Sequence, residues 1–341
     1  MTETLRTETA AGVRHIVLTR AAEYNTITPA LRDELAAAID AADDDPAARV
    51  ILLRAEGPAF CAGYGLDWAT AAPPPEPPAA PPGAHAASPG SQEASSQEAH
   101  GWPEDDPSQK DHGSQRDHGS QKDHAARIRS HTPSSPVAAS TVWDSVADHR
   151  MMSRFVATYM KLWYARKPTL AAVQGWCIGG GTDLVLCADL VMAGEGARFG
   201  YPPARVWGTP TTAMWVYRMG LEKAKRYLLT GDEISAAEAA RIGMILEAVP
   251  DAELLARATA LAERMARLPA NQLVMLKLLC NQTAEHMGMS STRLLGTLFD
   301  GVARHTQEGL DFVARAQEVG FRQAVRERDD PFGDYGSRPK G

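Results

Sequence analysis

The 341-residue chain contains only four cysteines, and no two of them are separated by the two residues typical of zinc sites; they are Cys61, Cys177, Cys187 and Cys280. Disulfide frameworks are found mainly in small secreted domains with many paired cysteines. The four cysteines are therefore predicted to be reduced thiols of a cytoplasmic protein. Neither a disulfide scaffold nor a zinc site is expected.

Long apolar runs and excess positive charge are also absent. No apolar stretch approaches the roughly 20 residues that span a bilayer, and the opening MTETLRTETAAGVRH lacks the apolar run of a signal peptide. The 35 lysines and arginines are outnumbered by 42 acidic residues, which gives a formal net charge of -7. Nucleic acid and membranes are therefore not expected partners, and the expected location is cytoplasmic.

Large apolar residues are almost absent from residues 71–127, where Trp102 is the only one. Prolines crowd the start of this segment, and the near-repeat SQKDHG, SQRDHG, SQKDH occupies residues 108–124. Such a composition cannot bury enough apolar surface to offset the entropy of ordering. We expect residues 71–139 to be a disordered insertion in a loop. A duplicated polar linker is favoured over a metal site formed by His112, His118 and His124.

Deleting residues 71–127 and joining the ends with a short Gly/Ser linker should leave the melting temperature nearly unchanged, because this segment has so little apolar surface to bury. Thermal unfolding of the full-length and shortened chains is the measurement. A large fall in melting temperature would show that the segment packs. Calorimetry with zinc tests the histidine repeat, and no heat of binding is expected.

Strand and helix signals alternate outside the insertion. Residues 13–19 and 50–54 are short runs rich in β-branched residues, as in strands. Between them, Thr28 can cap a helix that has Pro29 at its first position and one apolar face, formed by Leu31, Leu35, Ala38 and Ile39. Further along the chain, methionines and aromatic residues recur at helical spacing over 151–163, which is typical of core packing. The sequence also predicts a strand at 170–173, a helix start with a capping box at 235–238, and helices at 254–268 and 308–328. The alternation predicts an α/β fold.

Two glycine-rich turns follow predicted strands. The first is PAFCAGYGLDW, residues 58–68, and the second is QGWCIGGGTDLVLCAD, residues 174–189, where an apolar helix begins after three glycines. Neither contains a P-loop or the G-x-G-x-x-G spacing, so phosphate binding is not indicated. Free N–H groups from two such turns could stabilise one oxyanion. For the three glycines, a tight crossing of helix and strand is the alternative.

FCAGYGLDW together with VQGWCIGGGTDLVLCADLVMA resembles the crotonase superfamily, the enoyl-CoA hydratase/isomerase family. LTGDEISAAEAARIGMI and EVGFRQAVRERDDPF extend this resemblance to residues 10–70 and 140–335. It implies a crotonase-like spiral of repeated β-β-α units in residues 1–70 and 140–268, with C-terminal helices that form a trimerisation region in residues 269–341. It also implies a homotrimer or hexamer, an acyl-CoA thioester as substrate, no separate cofactor and no metal.

The resemblance assigns roles to individual residues. The oxyanion donors fall on the backbone N–H groups of Tyr64 and Gly180, and the acid/base group falls on Asp183. The candidates for coenzyme A binding are Arg20, Tyr24, Ala62, Leu66, Arg326 and Arg328. For the last two, a solvated basic helix end is the alternative. Ala21 stands where the family usually has proline, which weakens the assignment of the segment 20–26.

The sequence departs from the family at the two glutamates with which its hydratases position and split water. Asp183 takes the first position with a side chain about 1.5 Å shorter, and complementing the helix N-terminus is its alternative role. Pro203 takes the second position, and proline cannot transfer protons. Slow or no hydration of crotonyl-CoA is therefore expected, although one acid/base can still move a proton between carbons. Other nearby candidates, for which surface or capping roles are more usual, are Asp67, Asp144, Asp148 and His149.

Two functions from different classes fit these observations. The first is an acyl-CoA enzyme, a hydratase, isomerase or related lyase or hydrolase, that stabilises a thioester enolate between two amides. The second is a catalytically weak CoA-binding or scaffold protein that uses the insertion as a tether. The two oxyanion turns favour the enzyme, whereas Pro203 favours the second function. Uptake of deuterium at the α-carbon of an acyl-CoA would distinguish them.

Overall fold

A computed structural model describes residues 4–65 and 143–335. The predicted insertion, Leu66 and Asp67 lie outside these residues. The strands are β1 Leu5–Ala10, β2 Val13–Leu18, β3 Val50–Ala55, β4 Ala59–Cys61, β5 Thr169–Val173, β6 Trp176–Ile178, β7 Leu190–Gly194, β8 Arg198–Gly200, β9 Ile234–Ser235 and β10 Glu247–Val249. The helices are α1 Pro29–Asp44, α2 Ser145–Tyr164, α3 Gly180–Val185, α4 Met214–Met219, α5 Leu221–Leu228, α6 Ala236–Arg241, α7 Leu254–Ala266, α8 Ala270–His286, α9 Met289–Arg304, α10 Gln307–Val319 and α11 Phe321–Asp329.

The described strands form two sheets that the chain visits in turn. One sheet has the order β1-β2-β3-β5-β7-β10 and is parallel except for β1. The other has the order β4-β6-β8-β9 and is parallel except for β9. Successive pairs, β3 with β4, β5 with β6 and β7 with β8, each give one strand to each sheet. This repeat, with helices between and after the pairs, confirms the predicted α/β class and the crotonase-like spiral of β-β-α units.

The larger sheet is covered on both faces, which explains why its central strands are apolar throughout. Ile51 and Leu53 of β3 belong to the same core cluster as the buried residues of α1 and α2. Val50 and Leu52 belong to a second cluster with residues of α7. Alternate residues of one strand thus serve two cores, as the two-residue period of a strand requires.

Helix caps appear where the sequence predicted them. The Thr28 hydroxyl accepts the N–H of Leu31 at 3.2 Å, directly before Pro29 opens α1. The Ser235 hydroxyl accepts the N–H of Glu238 at 3.2 Å at the start of α6. A side-chain acceptor satisfies an N–H that has no partner inside its helix. Both predicted helix starts are therefore confirmed.

The prediction of one helix over residues 308–328 is wrong. Gly320 has φ +83°, a value outside the helical region, and it separates α10 from α11. Glycine adopts this conformation without the steric cost that a Cβ imposes. The apolar pattern continues past Gly320, because both helices pack on the protein, and so periodicity alone did not show the break.

Gly175→Ala should destabilise the protein far more than Gly288→Ala. Both glycines have positive φ, +55° and +85°, so both alanines carry left-handed strain of about 1–2 kcal/mol. A Cβ at Gly175 would also overlap the carbonyl oxygen of Pro58, whereas a Cβ at Gly288 meets nothing within 4 Å. We expect Gly175→Ala to lower the free energy of unfolding by about 3 kcal/mol or more, because backbone must move as well. Denaturant unfolding of both variants measures this, and equal losses would contradict it.

Candidate active site

Three loops meet at one edge of the smaller sheet. Its strands β4, β6 and β8 are adjacent and parallel, so their carboxyl ends lie together. Tyr64 follows β4, Gly180 follows β6 and Pro203 follows β8. A Cβ built on Gly63 would lie 3.7 Å from the Gly180 nitrogen, and a Cβ built on Gly179 would lie 3.6 Å from Pro203 Cγ. The structure thus brings together the residues that the two sequence motifs single out and Pro203, the last residue of the turn GYPP at residues 200–203.

The Tyr64 turn is held by backbone hydrogen bonds on both sides. The Gly63 carbonyl accepts the N–H of Ile27 at 2.8 Å, and the Ile27 carbonyl accepts the N–H of Gly65 at 3.0 Å. Gly63 has φ +91°, which the tight turn requires. These bonds fix the peptide plane that carries the Tyr64 N–H.

Gly180 is the first residue of α3, so no carbonyl within that helix accepts its N–H. The preceding Gly179 has φ +55° and donates its own N–H to the Gly200 carbonyl at 2.9 Å. A Cβ on Gly180 would lie 2.7 Å from Tyr64 Cε2, so the tyrosine ring rests against the Gly180 backbone. Glycine at 180 therefore allows this close contact as well as the sharp entry into α3.

The Asp183 carboxylate is completely buried and bonded to the loop after the GYPP turn. Its Oδ2 accepts the backbone N–H of Thr211 at 3.1 Å and the Thr211 hydroxyl at 2.9 Å, and its Oδ1 accepts the Thr212 hydroxyl at 3.1 Å. Burial raises the pKa of Asp183 to about 7, and the threonine hydrogen bonds oppose this rise. A carboxyl group with this pKa is available in both protonation states near neutral pH.

Two buried tyrosine hydroxyls extend the hydrogen bonds from Asp183. Tyr159 donates to the Tyr64 hydroxyl at 3.1 Å, and the Thr211 side chain also hydrogen-bonds to that hydroxyl. Burial raises the pKa of both tyrosines well above the ordinary range, so they stay neutral. Tyr159 lies in the stripe that was predicted as core packing; its ring is in the core, but periodicity gave no sign that its hydroxyl reaches the site.

Three of the coenzyme A candidates lie next to the Tyr64 turn. The Ala62 N–H donates to the Tyr24 carbonyl at 3.1 Å, and Tyr24 has φ +53° and an exposed side chain. The Arg20 guanidinium lies 3.4 Å from both the Thr26 carbonyl and the Thr28 hydroxyl. The structure therefore places Arg20, Tyr24 and Ala62 in one neighbourhood, while Leu66 lies outside the described residues.

The two C-terminal arginine candidates differ in their surroundings. Arg328 pairs with Asp329 at 2.7 Å, lies 5.8 Å from the centre of the Phe312 ring, and exposes only 6% of its side chain. Arg326 is exposed, and its Nε lies 3.4 Å from the Arg322 carbonyl. A solvated helix end thus describes Arg326 but not Arg328.

The alternative acid/base residues have other partners. Asp144 caps α2 by accepting the N–H groups of Val146 and Ala147 at 3.0 and 2.9 Å, which confirms its predicted capping role. Asp148 pairs with Arg304 at 2.9 Å. The His149 ring nitrogens lie 3.5 Å from the hydroxyl of Ser153, one turn along the same helix. Asp67 lies outside the described residues.

Metal sites and membrane-spanning segments were searched for in residues 4–65 and 143–335. No group of three or more His, Cys, Asp or Glu side chains there could hold a metal ion. No helix in these ranges is both long and apolar enough to cross a membrane. The His112, His118 and His124 repeat lies outside them. Cys61, Cys177 and Cys187 are free and buried, and Cys280 is free and exposed.

Comparison with known proteins shows which family and which solved structures the chain resembles. The family model described as enoyl-CoA hydratase/isomerase matches residues 8–76 and 144–323. A crystal structure of an enoyl-CoA hydratase from Mycobacterium smegmatis is 36% identical and aligns with a TM-score of 0.75, covering 99% of this chain and 97% of the other.

Two curated relatives match shorter stretches. A probable mitochondrial enoyl-CoA hydratase of Dictyostelium discoideum is 35% identical over 133 residues, 38% of this chain. The match covers 48% of that protein, so the chain spans about half the length of this relative. A 2,3-dehydroadipyl-CoA hydratase of Escherichia coli is 31% identical over 195 residues, 54% of this chain and 76% of the relative.

Proposed function

Because the chain belongs to the enoyl-CoA hydratase/isomerase family, we propose that it binds an acyl-CoA thioester and stabilises the thioester enolate between the backbone N–H groups of Tyr64 and Gly180. Asp183 is the proposed acid/base group, and coenzyme A is part of the substrate, with no separate cofactor. The observation that carries this proposal is the meeting of the two glycine turns beside a buried carboxyl whose pKa is about 7.

The chemistry follows from where charge develops. When the α-carbon loses a proton, its electron pair moves to the thioester oxygen, which becomes an enolate. Two peptide N–H groups aimed at that oxygen stabilise it, and they need no rearrangement because the turn bonds and α3 hold them in place. The Asp183 carboxylate accepts the proton, and its protonated form returns it to the α- or γ-carbon.

The neutral hydroxyls around Asp183 support this role. Thr211 and Thr212 direct their hydrogens to the carboxylate and keep its charged form accessible in a buried site. The bond from Tyr159 fixes the Tyr64 side chain, whose ring contacts Gly180. Tyr64 is thus proposed to contribute both its peptide N–H and a side chain that shapes the space beside the second amide.

An assembly of three chains, or of two such trimers, is proposed as well. Helices α8 and α9 expose many large apolar side chains, among them Met275, Leu276, Leu278, Leu279, Leu294, Leu295, Leu298 and Phe299. An exposed apolar patch of this kind is typical of a protein–protein interface. Sedimentation equilibrium of the full chain measures the assembly, and a monomer would contradict the proposal.

Hydrogen exchange in heavy water tests the proposed function. Wild-type protein incubated with a short acyl-CoA should catalyse uptake of deuterium at the α-carbon, which mass spectrometry detects. Exchange requires only the two amides and one base, so it does not depend on whether water is also added. Binding of the acyl-CoA without any exchange would instead support a CoA-binding or scaffold protein, the function that Pro203 favours.

A further inference from the structure

A second buried carboxyl group lies beside the loop that holds Asp183. Asp300 on α9 exposes only 6% of its surface, and its Oδ2 lies 3.1 Å from Nε of Arg304. The backbone N–H of Thr209 is hydrogen-bonded to its carboxylate. The short loop 208–212 therefore has Asp300 at its beginning and Asp183 near its end.

Asp300 is also close to the position where the sequence lacks a carboxylate. A Cβ built on Gly208 would lie 2.8 Å from Pro203 Cβ and 3.8 Å from Asp300 Oδ1. Gly208 thus contacts Pro203 and lies beside the Asp300 carboxylate, so the two residues share one neighbourhood. The proline at 203 offers no acid, whereas α9 supplies one to the same neighbourhood.

Burial makes the Asp300 carboxyl able to titrate near neutral pH. Burial raises its pKa to about 6, the Arg304 guanidinium opposes the rise and the charge of Asp148 adds to it. Its own charge in turn raises the pKa of three nearby buried groups, which are the side chains of Asp183, Tyr64 and Tyr201. The two carboxyl groups therefore act on each other and titrate as a coupled pair.

We propose that Asp300 is the second proton-transfer carboxylate of this site, supplied by α9 where Pro203 has none, and that the chain hydrates an enoyl-CoA with Asp183 and Asp300 together. The inference rests on the proposed function.

The Asp300 carboxylate takes a proton from water as the water oxygen bonds to the β-carbon, and the electron pair of the double bond moves onto the thioester oxygen. Protonated Asp183 then delivers a proton to the α-carbon. One carboxyl gains a proton and the other loses one, so the pair is reset by exchange with solvent.

The test separates hydration from α-proton exchange. Pro203 alone predicts slow or no hydration of crotonyl-CoA, but with Asp300 as the second carboxylate hydration by wild-type protein should be measurable. Asp300→Asn should lower it by about 10²-fold, the lower end of the range for a general acid/base group. At high pH, where Asp183 is ionised in both proteins, the same variant should change α-deuterium exchange less than about threefold, because exchange needs only Asp183 and the two amides. Asp300→Glu should restore part of the hydration activity.

Asp148→Asn is the matched control. Asp148 binds the same arginine as Asp300, through two bonds of 2.9 Å to Arg304, but the structure gives it no hydrogen bond to the loop 208–212 within the described residues. If the ion-pair cluster were only structural, Asp148→Asn and Asp300→Asn would lower hydration and exchange together, which would overturn the inference. Asp148→Asn should move the hydration profile along the pH axis, because Asp148 raises the pKa of Asp300, but we expect it to leave the ratio of the two maximal rates, each taken at its own optimum pH, unchanged.

The wild-type pH profile gives a test that does not depend on any variant folding. Hydration needs one of the two carboxyl groups ionised and the other protonated, so its pH profile should be bell-shaped, with limbs near pH 6 and pH 7 that belong to the coupled pair. Exchange without hydration in the wild type, or a hydration rate unaffected by Asp300→Asn, would overturn the inference and leave the proposed function intact. Absence of both activities would overturn the proposed function as well.

Discussion

Replacing Gly180 by proline should lower α-proton exchange on an acyl-CoA by about 10²–10³-fold relative to Gly180→Ala, because removal of one oxyanion donor typically has an effect of this size. Proline has no N–H but fits the first position of a helix, which is where Gly180 lies. The backbone of α3 can therefore accept the substitution while the proposed donor is lost.

Alanine is the matched control, because both substitutions add a Cβ at 180. That Cβ would meet Tyr64 Cε2 at 2.7 Å and Ile27 Cδ1 at 3.0 Å, so both variants disturb the same two side chains. Only the proline variant loses the N–H. Repeating the pair in a Tyr64→Ala background removes the closest contact and keeps the N–H of residue 64. Equal exchange rates for the alanine and proline variants would show that the Gly180 amide is not a donor.

The glycine turns could be predicted from the sequence because their signal is local. At each turn a strand and two or three glycines lie within one short segment, and at the second turn an apolar run follows them. That these two turns meet each other and the loop after β8 follows from the sheet order β4-β6-β8, which no single segment encodes. The resemblance to a family supplied the pairing of Tyr64 with Gly180 before the structure showed the contact between them.

The surroundings of the carboxyl groups could not be predicted in the same way. Thr211 and Thr212 carry no periodic or motif signal, yet they provide the hydrogen bonds to Asp183. Asp300 lies within a helical pattern where a single acidic residue is most often solvated. Its burial depends on how α9 packs against the loop 208–212, and this long-range contact is set by the tertiary fold.

Asp183→Asn should lower α-proton exchange by at least 10²-fold, because asparagine keeps the shape of the side chain but cannot accept the α-proton. The wild-type rate of exchange should rise with pH through about 7, as Asp183 loses its proton, and the variant should lack this rise.

Thr211→Val removes the hydroxyl that bonds to Oδ2 of Asp183 at 2.9 Å. Loss of this donor raises the pKa of Asp183 further, so the profile of that variant should move to higher pH.

The same titration has a consequence for stability with a definite sign. The pKa of Asp183 is about 7 in the folded protein against 3.8 as its ordinary value, so the folded state holds this proton over a pH range in which the unfolded chain has lost it. The contribution of Asp183 to stability is therefore present below about pH 4 and is lost as pH rises to about 7. Asp183→Asn removes this dependence. As the pH rises from 5 to 8, the wild type should therefore lose free energy of unfolding relative to the variant. Denaturant unfolding of both proteins at the two pH values measures the difference. A stability difference that is the same at both would show that the carboxyl is already charged at pH 5, and the rise of exchange with pH would then have to come from another group.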